Sequence, residues 1–94
     1  MSEVTIRIPT PLRSYTGGAD EVTVEGSTVA EALDALGRRH DGILGQVLDS
    51  DREIRLFVNL YLGDTNVSTL GGLAAAVDDN AVISIVPAVA GGGR

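Results

Sequence analysis

Few side chains in this sequence can do chemistry. There is one histidine, His40, and neither cysteine nor lysine, so most of the usual bases, nucleophiles and thiolate metal ligands are missing. His40 follows Arg38 and Arg39 at the end of a helical pattern, where a histidine complements the helix dipole. The carboxylates Asp49, Asp51, Glu53, Asp78 and Asp79 fall in polar turns, with nothing to bury them and tune them for acid–base work. Asp49-Ser50-Asp51-Arg52-Glu53 superficially suggests a calcium loop. It lacks the central glycine and the ligand spacing, so no metal site is expected. Gly42-Ile43-Leu44-Gly45 has no Gly-Lys-Ser/Thr and is no phosphate loop. A self-contained enzyme is therefore not expected.

What remains is the end of the chain, Pro87-Ala88-Val89-Ala90-Gly91-Gly92-Gly93-Arg94. Glycine has no Cβ, so its backbone and a partner can approach closely. The five residues from Ala88 to Gly92 reach about 17 Å when extended. Such a segment can thread a narrow tunnel and present a terminal carboxylate. The competing reading is a frayed end.

A threading tail needs a body to carry it. The 94 residues make one domain, and 44% of them are apolar, which suits a globular chain. Tyr15, Phe57 and Tyr61 are the only aromatics, so the core must be Val, Leu, Ile and Ala. Residues 4–8 alternate as a half-buried strand, with Val4, Ile6 and Ile8 inward, and Pro9 and Pro11 end it. A loop runs to Gly17-Gly18, with Leu12 and Tyr15 folded back onto the core. Residues 21–25 alternate again and complete an antiparallel hairpin with a wide loop.

Thr28-Val29-Ala30-Glu31 reads as a capping box. The helix behind it carries Val29, Ala32, Leu33 and Leu36 on one face, with Gly42 as its C-cap. Residues 43–48 suit a single helical turn. Residues 56–60 form a third strand, with Leu56, Val58 and Leu60 inward and Phe57 and Asn59 on the other face. A turn follows at Leu62-Gly63-Asp64, then a short edge strand near residues 66–68. Gly71-Gly72 breaks the chain before a turn of helix at residues 73–77. The last strand, residues 81–86, points Ile83 and Ile85 at the core. The order predicts an α+β domain: one main helix on a mixed sheet of four to five strands. Residues 1–87 form the domain, and 88–94 a flexible tail.

The net charge of −6 disfavours nucleic acid and anionic membrane surfaces as partners. No signal peptide and no membrane-spanning run is visible, so the cytoplasm is the expected location. All seven basic residues are arginine. A genome-wide bias accounts for that plainly. It also leaves an activated C-terminus with no side-chain amine or thiol of its own to attack it.

The sequence resembles the ubiquitin-like sulfur carriers of the MoaD/ThiS type, and is most similar to the CysO-type subgroup, which supplies sulfur for cysteine or secondary-metabolite assembly. The likeness runs through the opening Val-Thr-Ile-Arg-Ile-Pro strand, Leu12-Arg13, Gly17-Gly18 and the helix from Thr28 to Leu36. It continues through Phe57-Val58-Asn59 and Gly71-Gly72-Leu73. Its most specific part is the final strand leading into Ala-Val-Ala-Gly-Gly.

The resemblance implies a β-grasp (ubiquitin-like) fold and a carrier role. No cofactor would be bound. An E1-like adenylyltransferase/sulfurtransferase would use ATP to convert a terminal glycine carboxylate to an acyl adenylate. Sulfur would then replace AMP to leave a thiocarboxylate, and a downstream synthase would accept that sulfur. Gly92 is the expected sulfur-bearing terminus, with Gly93 as the alternative, and Ala88, Val89, Ala90 and Gly91 thread the partner. Phe57 is the expected docking anchor, with Arg7, Asn59, Val86 and Pro87 around it.

The family pattern ends in free Gly-Gly, whereas Gly93-Arg94 follow Gly92 here. Three explanations stand: a precursor trimmed by a peptidase, a cloning remnant, or a functional Gly92-Gly93 pair with only Arg94 removed. The same fold and tail also suit a modifier conjugated to lysines of other proteins, or a β-grasp interaction module whose tail is inert.

Overall fold

The computed structural model describes residues 2–87. The expectations placed on residues 88–94 lie outside the described residues. Period-2 alternation sets the first two strands. β1 (Ser2–Arg7) buries Val4 and Ile6, and β2 (Glu21–Gly26) buries Val22 and Val24. They pair antiparallel, Val4 opposite Val24 and Ile6 opposite Val22. The expected loop between them contains a 3₁₀ helix, Thr10–Thr16, entered through proline and closed by Gly17 at φ 69°. Leu12 and Tyr15 do pack against the core. Ile8 lies just past β1 yet is buried, and its N–H donates to the Asp20 carbonyl at 2.8 Å.

α1 (Val29–Arg39) starts at the expected cap. Thr28 Oγ1 accepts from the Glu31 N–H at 3.1 Å, while Glu31 Oε1 accepts from the Ser27 N–H at 2.7 Å. The reciprocal bond of the capping box thus reaches one residue before the cap. Val29, Ala32, Leu33 and Leu36 are fully buried. The C-terminus differs from the expected Gly42 cap. His40 is the cap residue, its N–H donating to the Leu36 carbonyl at 2.9 Å, and Gly42 instead supplies φ 87° in the turn beyond. Arg39 reaches from the last turn to donate to the Thr23 carbonyl on β2, covering part of an edge strand. α2 (Leu44–Val47) is the single turn the sequence suggested.

β3 (Val58–Leu62), β4 (Thr65–Asn66) and β5 (Ala81–Pro87) complete a five-stranded sheet in the order β2-β1-β5-β3-β4. β1 and β5 are parallel, and the other pairs are antiparallel. Ile83 and Ile85 of β5 and Leu60 of β3 join the residues under α1 in one core. This is the mixed sheet with one main helix that the sequence implied.

Three local expectations need correcting. The third strand begins at Val58, and Leu56, expected inward, is 89% exposed. The cause is a turn: the Val58 N–H donates to the Arg55 carbonyl at 3.0 Å, so residues 56 and 57 are spent rounding it. Ile54 packs against the core ahead of the turn. The edge strand lies at Thr65–Asn66, while Val67 is buried within a 3₁₀ segment, Val67–Thr69. The helical turn near residues 73–77 is a 3₁₀ segment, Gly72–Ala74, after which Ala75 and Val77 enter the core.

Gly26 is where sheet and helix meet most tightly. A Cβ there would lie 2.8 Å from the Ala32 nitrogen and 3.0 Å from the Glu31 carbonyl carbon. Both are backbone atoms of α1, which cannot swing aside. Gly26→Ala should cost about 1–3 kcal/mol, as overpacking does. Gly45→Ala, with nothing within 4 Å of its Cβ, is the matched control. Urea unfolding of both variants checks this, and equal midpoints would contradict it.

Candidate docking face and tail exit

Alternation leaves one face of the sheet without a helix. It presents Thr5 and Arg7 on β1, Glu21, Thr23 and Glu25 on β2, Val82, Ser84 and Val86 on β5, and Asn59 and Tyr61 on β3. Register sets their neighbours. Arg7 stands opposite Ser84, and Ser84 opposite Tyr61, giving one row across three strands. Asn59 stands opposite Val86 in the adjacent row, and Val58 opposite Pro87 at the sheet's end. The structure therefore brings Asn59 and Val86 together on the open face, while Pro87, paired with Val58, alternates to the side of Ile83 and Ile85. Arg7 lies on the next strand but one, a row away. Its Nε is 3.8 Å from Glu21 Oε2, and both side chains are mostly exposed, so the pair adds little stability.

Phe57 is 57% exposed, so more than half of its surface is open to a partner. It shares a shallow groove with Gln46, Asp49, Arg55, Leu56 and Val58. Leu56 is the residue that the sequence reading missed. The turn carrying it, Arg55-Leu56-Phe57-Val58, contains no Gly, Pro, Asn or Asp to announce it.

The exit of the tail is set by uneven pairing. The ladder from β1 to β5 runs from Val4–Ala81 to Arg7–Ser84 and stops. Ile85, Val86 and Pro87 pair with β3 on one side only. A proline is tolerated at such a half-open end, where the ladder is already incomplete. The tail candidates Ala88, Val89, Ala90, Gly91, Gly92 and Gly93 follow directly and lie outside the described residues.

The polar turns hold themselves together. Asp49 Oδ1 accepts from the N–H groups of Asp51 and Glu53, at 2.9 and 3.0 Å. Asp79 Oδ1 accepts from the Glu3 N–H at 2.8 Å. Arg52 donates to Asp34 Oδ1 at 2.7 Å, tying the loop to α1. Among the described residues no three His, Cys, Asp or Glu side chains gather to hold a metal, and no helix is long and apolar enough to cross a membrane.

A family model described as the ThiS family matches residues 6–92. The sulfur carrier protein CysO of Mycobacterium tuberculosis is 41% identical over 91 residues, covering 95% of this chain and 98% of that one. The crystal structure of Mycobacterium tuberculosis CysO superposes with a TM-score of 0.88, at 39% identity over 92% of this chain and 99% of that chain. CysO in the crystal structure of the Amycolatopsis orientalis BexX/CysO complex superposes with a TM-score of 0.87, at 42% identity over 93% of this chain and 97% of that chain. The small archaeal modifier protein 3 of Haloferax volcanii is 35% identical over 68 residues, 72% of this chain and 73% of that one.

The two faces of β5 should respond differently to substitution. Ile85 is 3% exposed and Val86 39%. Ile85→Asp should cost on the order of 4 kcal/mol or more, by burying a charge without a partner. Val86→Ser should cost about 1 kcal/mol or less. Thermal unfolding followed by circular dichroism checks the pair; similar losses would contradict the assignment of faces.

Proposed function

The chain belongs to the ThiS family, and from that membership we propose that it is a sulfur carrier whose C-terminal glycine is adenylated and converted to a thiocarboxylate. The thiocarboxylate then donates its sulfur to a biosynthetic enzyme. The observation that carries the reading is the likeness to CysO, which spans nearly the full length of both chains. The family match running to residue 92 supports Gly92 as the carrier residue. The BexX/CysO complex supports the expectation of a protein partner.

The chemistry divides between proteins. A carboxylate oxygen on Gly92 attacks the α-phosphorus of ATP, forming an acyl adenylate and releasing pyrophosphate. Sulfur from a donor then takes the place of AMP at the acyl carbon. The carrier supplies the carboxylate and a docking surface, and the activating enzyme supplies ATP binding and catalysis. No cofactor is resident in the carrier. Glycine at the reacting end lets both nucleophile and backbone pass close to the partner's walls. Phe57, Arg7, Asn59, Val86 and Pro87 form the docking surface around the exit. The reading requires a free carboxylate on Gly92, or alternatively Gly93, so a peptidase that removes Gly93-Arg94 is part of it.

The partners are an E1-like adenylyltransferase/sulfurtransferase and a sulfur-accepting synthase, working in the cytoplasm. The acceptor pathway is one of cysteine, molybdopterin, thiazole, or thiosugar and natural-product assembly. Conjugation to lysines of other proteins is not favoured: the likeness to the archaeal modifier covers less of each chain than the likeness to CysO.

The test uses chains ending at Gly92, Gly93 and Arg94, each incubated with ATP, the activating enzyme and a sulfur source. Intact mass should show one oxygen replaced by sulfur on the chain ending at Gly92. The chain ending at Arg94 should stay unchanged. No exchange on any chain, with an enzyme shown to be active on another carrier, would overturn the proposal.

A further inference from the structure

Turn tips are normally polar or glycine-rich, because they stand in water. The tip between Arg55 and Val58 is Leu56-Phe57, 89% and 57% exposed. It is held out rather than left loose. The Arg55 N–H donates to the Val47 carbonyl at 2.9 Å, and Arg55 Nε donates to the Gly45 carbonyl at 2.8 Å. On the other side, the Val58 N–H closes the turn onto the Arg55 carbonyl at 3.0 Å. Both ends of the tip are thus anchored, one on α2 and one at the start of β3. Neither large side chain gains cover from this protein's own core. A preorganised apolar pair of this kind binds with little ordering cost.

Its position says what covers it. Val58, next to Phe57, is the register partner of Pro87, from which the tail departs. Only the five residues from Ala88 to Gly92 separate Pro87 from the reacting carboxylate, about 17 Å of extended chain. A protein that draws Gly92 into its active site must therefore bring its surface down onto this end of the sheet. Val86, 39% exposed, adds an apolar side chain on the open face at the same end of the sheet, opposite Asn59.

We infer that the Leu56-Phe57 turn tip is a fixed apolar plug that seats in a hydrophobic cleft of the activating enzyme, beside the mouth that admits the tail. This rests on the carrier reading above. The plug goes beyond the open sheet face that the strand pattern suggested as the docking surface. It makes Leu56 an anchor equal to Phe57, and Arg55 the residue that positions both. Its role is to hold the body in place while the thin tail, which has few side-chain contacts to offer, is threaded.

The test is carrier-dependent ATP–pyrophosphate exchange by the activating enzyme, using chains that end at Gly92. Leu56→Ser with Phe57→Ser should raise the apparent KM for carrier about 30-fold or more, the scale of a lost hot spot, with kcat little changed. Leu56→Met, which keeps an apolar side chain, should retain the wild-type KM. Both positions are exposed, so the variants should match the wild-type melting curve. Exchange with the wild-type chain and an unaltered KM in the double variant would overturn the plug while leaving the carrier reading intact. No exchange with any chain would instead overturn the carrier reading.

Two further results would each overturn this occupant. One is a wild-type dimer in sedimentation that Leu56→Ser dissolves, which would assign the tip to a second copy. The other is nuclear Overhauser contact between Val89 methyls and the Phe57 ring in the free chain, which would assign it to the chain's own tail.

Discussion

The position of β5 is the constraint on which the rest of the structure depends. It lies between β1 and β3, parallel to the first and antiparallel to the second. Ile83 and Ile85 point under α1 and fix its inner face. The hairpin of β1 and β2 and the helix after it exist, in effect, to hold this last strand from one side. The strands and short helical turns of residues 44–74 hold it from the other. Because β1 lets go after Ser84 while β3 continues to Pro87, the chain leaves the body at a single defined corner.

This arrangement separates stability from chemistry. The described body gathers its buried apolar residues in one cluster, Asp49 and Asn66 satisfy the backbone of their own turns, and Asp79 ties its turn to the Glu3 N–H of β1. On the carrier role proposed above, a carboxylate at Gly92 would be offered to one enzyme after another while the fold stays as it is. Lysine and cysteine are both absent, so an activated terminus meets no side-chain amine or thiol of its own chain.

Most of the fold was legible because most of its elements are written in strong periodicity. The alternation of β1, β2 and β5 and the Thr28 cap with its buried Val29, Leu33 and Leu36 needed no tertiary information. The sequence failed where tertiary contacts override local pattern. Leu56 and Phe57 continue the apolar alternation of β3, so they read as strand. The bonds of Arg55 to Val47 and Gly45 turn the chain two residues before the pattern does. Gly26 marks the close approach of β2 to α1, a contact that no local pattern announces. Of the docking candidates, Asn59 and Val86 share the open face as parity requires, whereas Pro87, opposite Val58, falls by the same parity on the side of Ile83 and Ile85. Arg7 was placed on the open face by the same rule, but a row farther away.

The central claim is that the terminus of this chain carries sulfur rather than forming part of a conjugate or an inert end. Top-down mass spectrometry of the chain isolated from its own cells tests it most directly. The expected result is a population ending at Gly92 or Gly93 with sulfur in place of one terminal oxygen. Chains that end only in an unaltered Arg94, or that are joined through their terminus to lysines of other proteins, would contradict it.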